Sequence, residues 1–117
     1  MGKPVKYFKE EEFDCQETGN NLMDRQFLLL LDTLRHKCGF PFLITSGYRD
    51  PSHSIEAKKE KPGKHSEGIA CDIRVNNSAE RYRLIDDALC LGFTGIGIHK
   101  DFIHVDTRKT TPVIWIY

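Results

Sequence analysis

The sequence predicts a single α+β domain, residues 1–117, with two main helices and a mostly antiparallel sheet. Two segments carry apolar residues at helical spacing, five short segments read as strands, and the two kinds follow one another in irregular order rather than as a regular βαβ alternation. A chain of 117 residues is long enough to bury a self-sufficient core and too short for two full domains.

In chain order, a polar entry segment leads into Met23, Phe27, Leu30, Leu31, Leu34 and Cys38, an apolar stripe with Asn20 or Asn21 ahead as cap and Gly39 as stop. Phe42 to Ser46 reads as a short buried strand after Pro41, and Gly47 to Gly68 has the Gly, Pro, Ser and Lys content of a long loop, of the kind that often carries function. From Ile69 to Val75 the pattern alternates, with Ile69, Cys71, Ile73 and Val75 on one face and Ala70, Asp72 and Arg74 on the other. Asn77 and Glu80 resemble a capping box for a second helix, whose stripe reads Tyr82, Ile85, Ala88 and Leu89 and which Gly92 ends. Ile96 to Ile98, Phe102 to Asp106 and Val113 to Tyr117 complete the strands, the first two close enough for a hairpin across Lys100.

Composition narrows the function. Seventeen basic and 17 acidic side chains leave no net charge, and no basic stripe interleaved with aromatics appears, so a nucleic-acid partner is not expected. The longest apolar run, Phe27 to Leu31, is too short to cross a bilayer, so no membrane partner is expected; Met1 to Lys9 lacks the apolar core of a secretory signal, so the chain is expected in the cytoplasm as synthesised, and as a monomer. Cys15, Cys38, Cys71 and Cys90 include no CxxC pair and read as reduced, mostly buried thiols. The Lys58 to Lys64 charge run reads as solvated loop.

Chemistry concentrates on the polar strand faces. Asp72 points away from the apolar side of its strand, as do His104 and Asp106 of theirs, and His65 lies just upstream of the Asp72 strand, able to fold back over the same surface. Two imidazoles and one carboxylate are the ligand types of a catalytic zinc site with a position open to water, and a net charge of plus one would favour lowering the pKa of that water. By spacing alone, surface histidines beside a strand-end aspartate account for the same residues.

The segments GKHSEGIACDI (Gly63 to Ile73) and FIHVD (Phe102 to Asp106) resemble the zinc D-alanyl-D-alanine carboxypeptidase family, which includes VanX-type dipeptidases and phage L-alanyl-D-glutamate endolysins. The family pattern is S-x-H-x-x-G-x-A-x-D followed by H-x-D or H-x-H. The similarity extends over YFKEEEFDC (Tyr7 to Cys15), the first helix, SGYR (Ser46 to Arg49) and the Trp115 to Tyr117 tail, hence nearly the whole chain in the right order. It implies a hedgehog/DD-peptidase-like fold, Zn2+ held by His65, Asp72 and His104, and Asp101, three residues before the last histidine, as general base. It also implies Arg49 as the cation holding the substrate carbonyl or developing oxyanion, a role suited to a fixed guanidinium. The family serine two residues before the first histidine is Gly63 here, a departure that bears on a hydrogen bond beside the metal rather than on the metal itself.

Asp101 can join the site only through a turn or bulge, because a strict strand puts residues 101 and 104 on opposite faces. Asp106 shares the His104 face and is expected either to orient its imidazole or to cap the strand end. Tyr48 adjoins Arg49 as a candidate site wall, His99 and Glu67 are competing neighbours, and His36 and His53 read as solvated or local structural groups; Trp115 and Tyr117 read as sheet packing. The expected function is a zinc metallopeptidase acting on peptidoglycan stem peptides, of D-Ala-D-Ala carboxypeptidase or L-Ala-D-Glu endopeptidase type. A phage-encoded protein reaching the wall through lysis or as a particle component, and a cytoplasmic dipeptidase, both agree with the chain. The competing class is a non-catalytic module of the same fold with a structural zinc site, against which Asp101 and Arg49 argue.

Overall fold

Strand alternation decides which side of the sheet is buried. Cys71, Ile73, Val75, Ile96, Ile103 and Val105 are buried on one side, packed with Phe27, Leu31, Leu34, Leu84 and Ala88 from the helices. The computed structural model describes residues 6–49, 63–65 and 67–117. A 3-10 helix (Glu10–Phe13) precedes α1 (Arg25–Cys38), β1 (Ile44–Ser46), β2 (Ala70–Arg74), α2 (Ser78–Leu91), β3 (Gly95–Ile98), β4 (Phe102–Asp106) and β5 (Val113–Ile116). The five strands lie in the order β1-β2-β4-β3-β5, antiparallel throughout except for the parallel β3–β5 pair. This is the expected α+β class, and β3–β4 is the expected hairpin.

Two local readings are corrected. The cap of α1 is Asp24, whose carboxylate accepts from Phe27 N at 2.8 Å, not Asn20 or Asn21; the Asn21 side chain is spent on Met23 N and Asp14 instead. In α2 the buried residues are Leu84, Asp87 and Ala88, while Tyr82 and Leu89 of the expected stripe face solvent. Asp87 can be buried because Arg83 Nε donates to it at 2.8 Å and the Cys38 thiol hydrogen-bonds to it across the helix pair. The start of α2 is as expected, Asn77 accepting from Glu80 N at 2.8 Å, although the Glu80 carboxylate returns to Asn76 N rather than to the cap residue. Both helices stop at glycines in the left-handed conformation, Gly39 and Gly92. Among the described residues no helix is long and apolar enough to cross a membrane.

Candidate active site

The sheet face turned away from the helices carries the polar residues. Register places Asp72 opposite His104, His104 opposite Gly97 and Gly97 opposite Trp115, so one cross-strand row runs over β2, β4, β3 and β5. A Cβ at Gly97 would stand 2.7 Å from the Trp115 ring, so the glycine is what lets the indole lie across β3. From there the indole reaches His104, their ring centroids 4.9 Å apart.

His65 enters this row from the turn before β2. Its carbonyl accepts from Arg49 N at 3.2 Å and Gly68 N at 3.3 Å. Gly68 has φ +74°, and a Cβ there would collide with the Leu22 carbonyl, so the turn can close against the start of α1 only with glycine. On the opposite side β1 is irregular: Ile44 pairs with Ile73 and Ser46 with Asp72, leaving Thr45 extra. Such a bulge re-aims the chain that follows it, here Gly47, Tyr48 and Arg49.

These elements bring together the three residues expected as metal ligands. His65, Asp72 and His104 are all buried, and one donor atom from each lies within 4.8 Å of the others. Asp72 Oδ1 is 3.3 Å from His65 Nε2 and 3.1 Å from His104 Nδ1. The far side of each imidazole is already engaged. His65 Nδ1 donates to the Gly47 carbonyl at 2.7 Å, and His104 Nε2 faces Asp106 Oδ2 at 2.7 Å. A carbonyl can only accept, so His65 Nδ1 carries hydrogen and Nε2 of the neutral ring presents its lone pair. Asp106 selects the matching state of His104. Two lone pairs then face a carboxylate oxygen, an arrangement that a shared proton or a cation relieves, and nitrogen and oxygen donors of this kind suit zinc.

Asp106 is fully buried yet saturated: Arg108 binds it through Nε at 3.0 Å, Nη2 at 2.7 Å and its backbone N at 3.1 Å. Of the two roles open to Asp106, orienting the His104 ring is the one its contacts match. Burial opposes charge on Asp72, but hydrogen bonds from His104 and His65 outweigh it and hold the carboxyl below the usual range. In Asp106 burial is likewise outweighed by His104 and Arg108. His104, pushed down by burial, is raised on balance by the Asp106 and Asp72 carboxylates.

Beside the donor group opens a groove of about 690 Å³, lined by Gln16, Tyr48, Arg49, Asp72, Arg74 and Asp101 among others. Arg49 Nη2 stands 3.7 Å from Asp72 Oδ2, and the buried Tyr48 also lines the groove. Asp101 lies in the turn between β3 and β4, which removes the objection from strand alternation; its carboxylate is 68% exposed and its backbone N–H donates to His99 Nδ1 at 3.0 Å. His99 stacks on Phe102 at 4.3 Å, outside the groove lining but bonded to the Asp101 backbone. Glu67 pairs with Lys64 at 2.9 Å, and His36 bonds the Tyr7 hydroxyl at 2.5 Å, a local structural contact. His53, most of the Lys58 to Lys64 run and most of the Gly47 to Gly68 loop lie outside the described residues.

Sequence reading missed Arg108, and it treated Trp115 only as packing, whereas the half-buried indole covers both the His104 ring and, at 5.1 Å, the Arg108 guanidinium. Alternate glycines in GIGI opposite a tryptophan strand were the available signal for the second.

A one-sided α+β sheet holding three convergent metal donors at the edge of an open groove has the layout of a metal-dependent hydrolase. The Peptidase M15 family profile matches residues 6–106, and the chain belongs to that family. Peptidases of this family are zinc enzymes, and His65, Asp72 and His104 form a group that could hold such an ion. No curated protein sequence matches the chain closely enough to count as a relative.

Proposed function

We propose that the protein is a zinc peptidase that hydrolyses a peptide bond in peptidoglycan stem peptides. The observation that carries this reading is the convergence of His65 Nε2, His104 Nδ1 and Asp72 Oδ1 at the edge of a groove that also holds Arg49 and Asp101. Zinc bound by the three would polarise the scissile carbonyl and make water nucleophilic near neutral pH. Arg49, beside Asp72, holds the carbonyl oxygen as negative charge develops on it. Asp101 takes a proton from the attacking water and returns it to the leaving amine, a task for which an exposed carboxylate at the groove is suited. Asp106 and the Gly47 carbonyl keep the two imidazoles in register and take no part in proton transfer with substrate.

Purified zinc-loaded protein incubated with intact peptidoglycan and with short D-Ala-D-Ala peptides, followed by mass analysis, identifies the bond cut. Asp101→Asn is expected to keep its zinc yet lose about two to four orders of magnitude in rate. Arg49→Ala is expected to lose about two to three orders with metal retained. Tight zinc binding without hydrolysis of either substrate would instead make this a zinc-stabilised binding module.

A further inference from the structure

Arg74 is a cationic groove residue that neither the metal group nor the chemistry just described uses. It follows Asp72 by two positions on β2, so both project from the same face, about 6.6 Å apart along the strand. Its backbone is fixed at the end of the sheet, its N–H donating to the Leu43 carbonyl at 2.9 Å, and it pairs in register with Phe102 of β4. The side chain is exposed and lines the groove, and its guanidinium has no partner among the described residues. Arg49, by contrast, lies against Asp72. The groove lining holds two guanidinium groups and three carboxylates, those of Glu17, Asp72 and Asp101, and a divalent cation at the donor group would tip the balance positive.

We propose that Arg74 is a carboxylate-binding subsite that selects substrate peptides carrying a carboxylate within about two residues of the bond to be cut. The proposal rests on the peptidase reading above and names its substrate class. The span fits, because an extended peptide advances about 3.3–3.6 Å per residue, so a carboxylate one or two residues from a carbonyl held at the donor group falls within the sweep of the long Arg74 side chain. A guanidinium offers such a group two parallel charge-assisted hydrogen bonds. Two sources share the chemistry: the terminal carboxylate of a peptide trimmed from its end, and the free carboxylate of an internal D-glutamyl residue.

Two matched pairs of the stem peptide L-Ala-D-Glu-L-Lys-D-Ala-D-Ala separate them, one pair differing by a terminal carboxylate or amide, the other by a D-glutamyl carboxylate or amide. Binding to the zinc-loaded protein is measured by calorimetry and turnover by product mass. Wild type should prefer the free acid of one pair by about 10- to 100-fold in Kd or KM. Arg74→Gln should erase that preference and Arg74→Lys keep part of it, with zinc content equal in all three proteins. The responding pair identifies the source. A preference of the same size in wild type and Arg74→Gln, no preference in wild type, or no binding of any peptide overturns the subsite. A preference that Arg74→Gln erases in binding, with no turnover of any peptide, upholds the subsite while the peptidase reading falls.

Discussion

His104 is gripped at both ring nitrogens, by Asp72 on the side of the donor group and by Asp106 on the other, and Arg108 in turn fixes Asp106. A metal must displace the proton from Nδ1, and the two carboxylates that raise this imidazole make that proton harder to remove. Zinc affinity should therefore fall as pH drops through a value above the ordinary histidine range. In Asp106→Asn one of the raising charges is gone, so the acid midpoint should move to lower pH while affinity at high pH weakens about 10- to 100-fold. Competition with a chromophoric chelator from about pH 5.5 to about pH 8.5 measures both; an unmoved midpoint would refute the coupling. Asp72 and His104 were legible as a facing pair because alternation is strict in both strands. Arg108 was not, because its grip on Asp106 depends on how the chain turns after β4, which alternation does not encode.

Among the elements, β4 was read to its limits because Ile103 and Val105 bury on one side while Phe102, His104 and Asp106 stay on the other. The face of α2 was misread for a physical reason: an aspartate satisfied by arginine and a thiol takes a core position, leaving the aromatic Tyr82 outside. The β3–β5 pair carries its own test. In Gly97→Ala the new methyl meets the Trp115 ring, and the clash should cost about 1–3 kcal/mol of stability and loosen the metal group. Trp115→Ala made in the same chain should recover much of that loss, a non-additivity that thermal or urea unfolding resolves. Simple additivity of the two substitutions would mean that the indole does not need the gap.

At the scale of the whole molecule, the four cysteines are free thiols, three of them buried and Cys90 exposed. Burial, then Asp87, pushes the Cys38 thiol up to about 12, and burial raises Cys71 as well. A group raised in the folded state contributes fully below its unfolded pKa and loses that contribution as pH climbs toward the folded value. Stability should thus decline from about pH 9 upward, and replacing Cys38 by Ala should flatten the decline; an equal slope in both proteins would exclude this cause. The arrangement on the other side of the sheet gives the protein an optical probe. The chain has a single tryptophan, and that residue covers a candidate ligand, its centroid 4.9 Å from the His104 ring. All indole fluorescence therefore originates beside the metal group, so titration with a paramagnetic ion such as cobalt should quench nearly the whole emission, while zinc should shift it without comparable quenching.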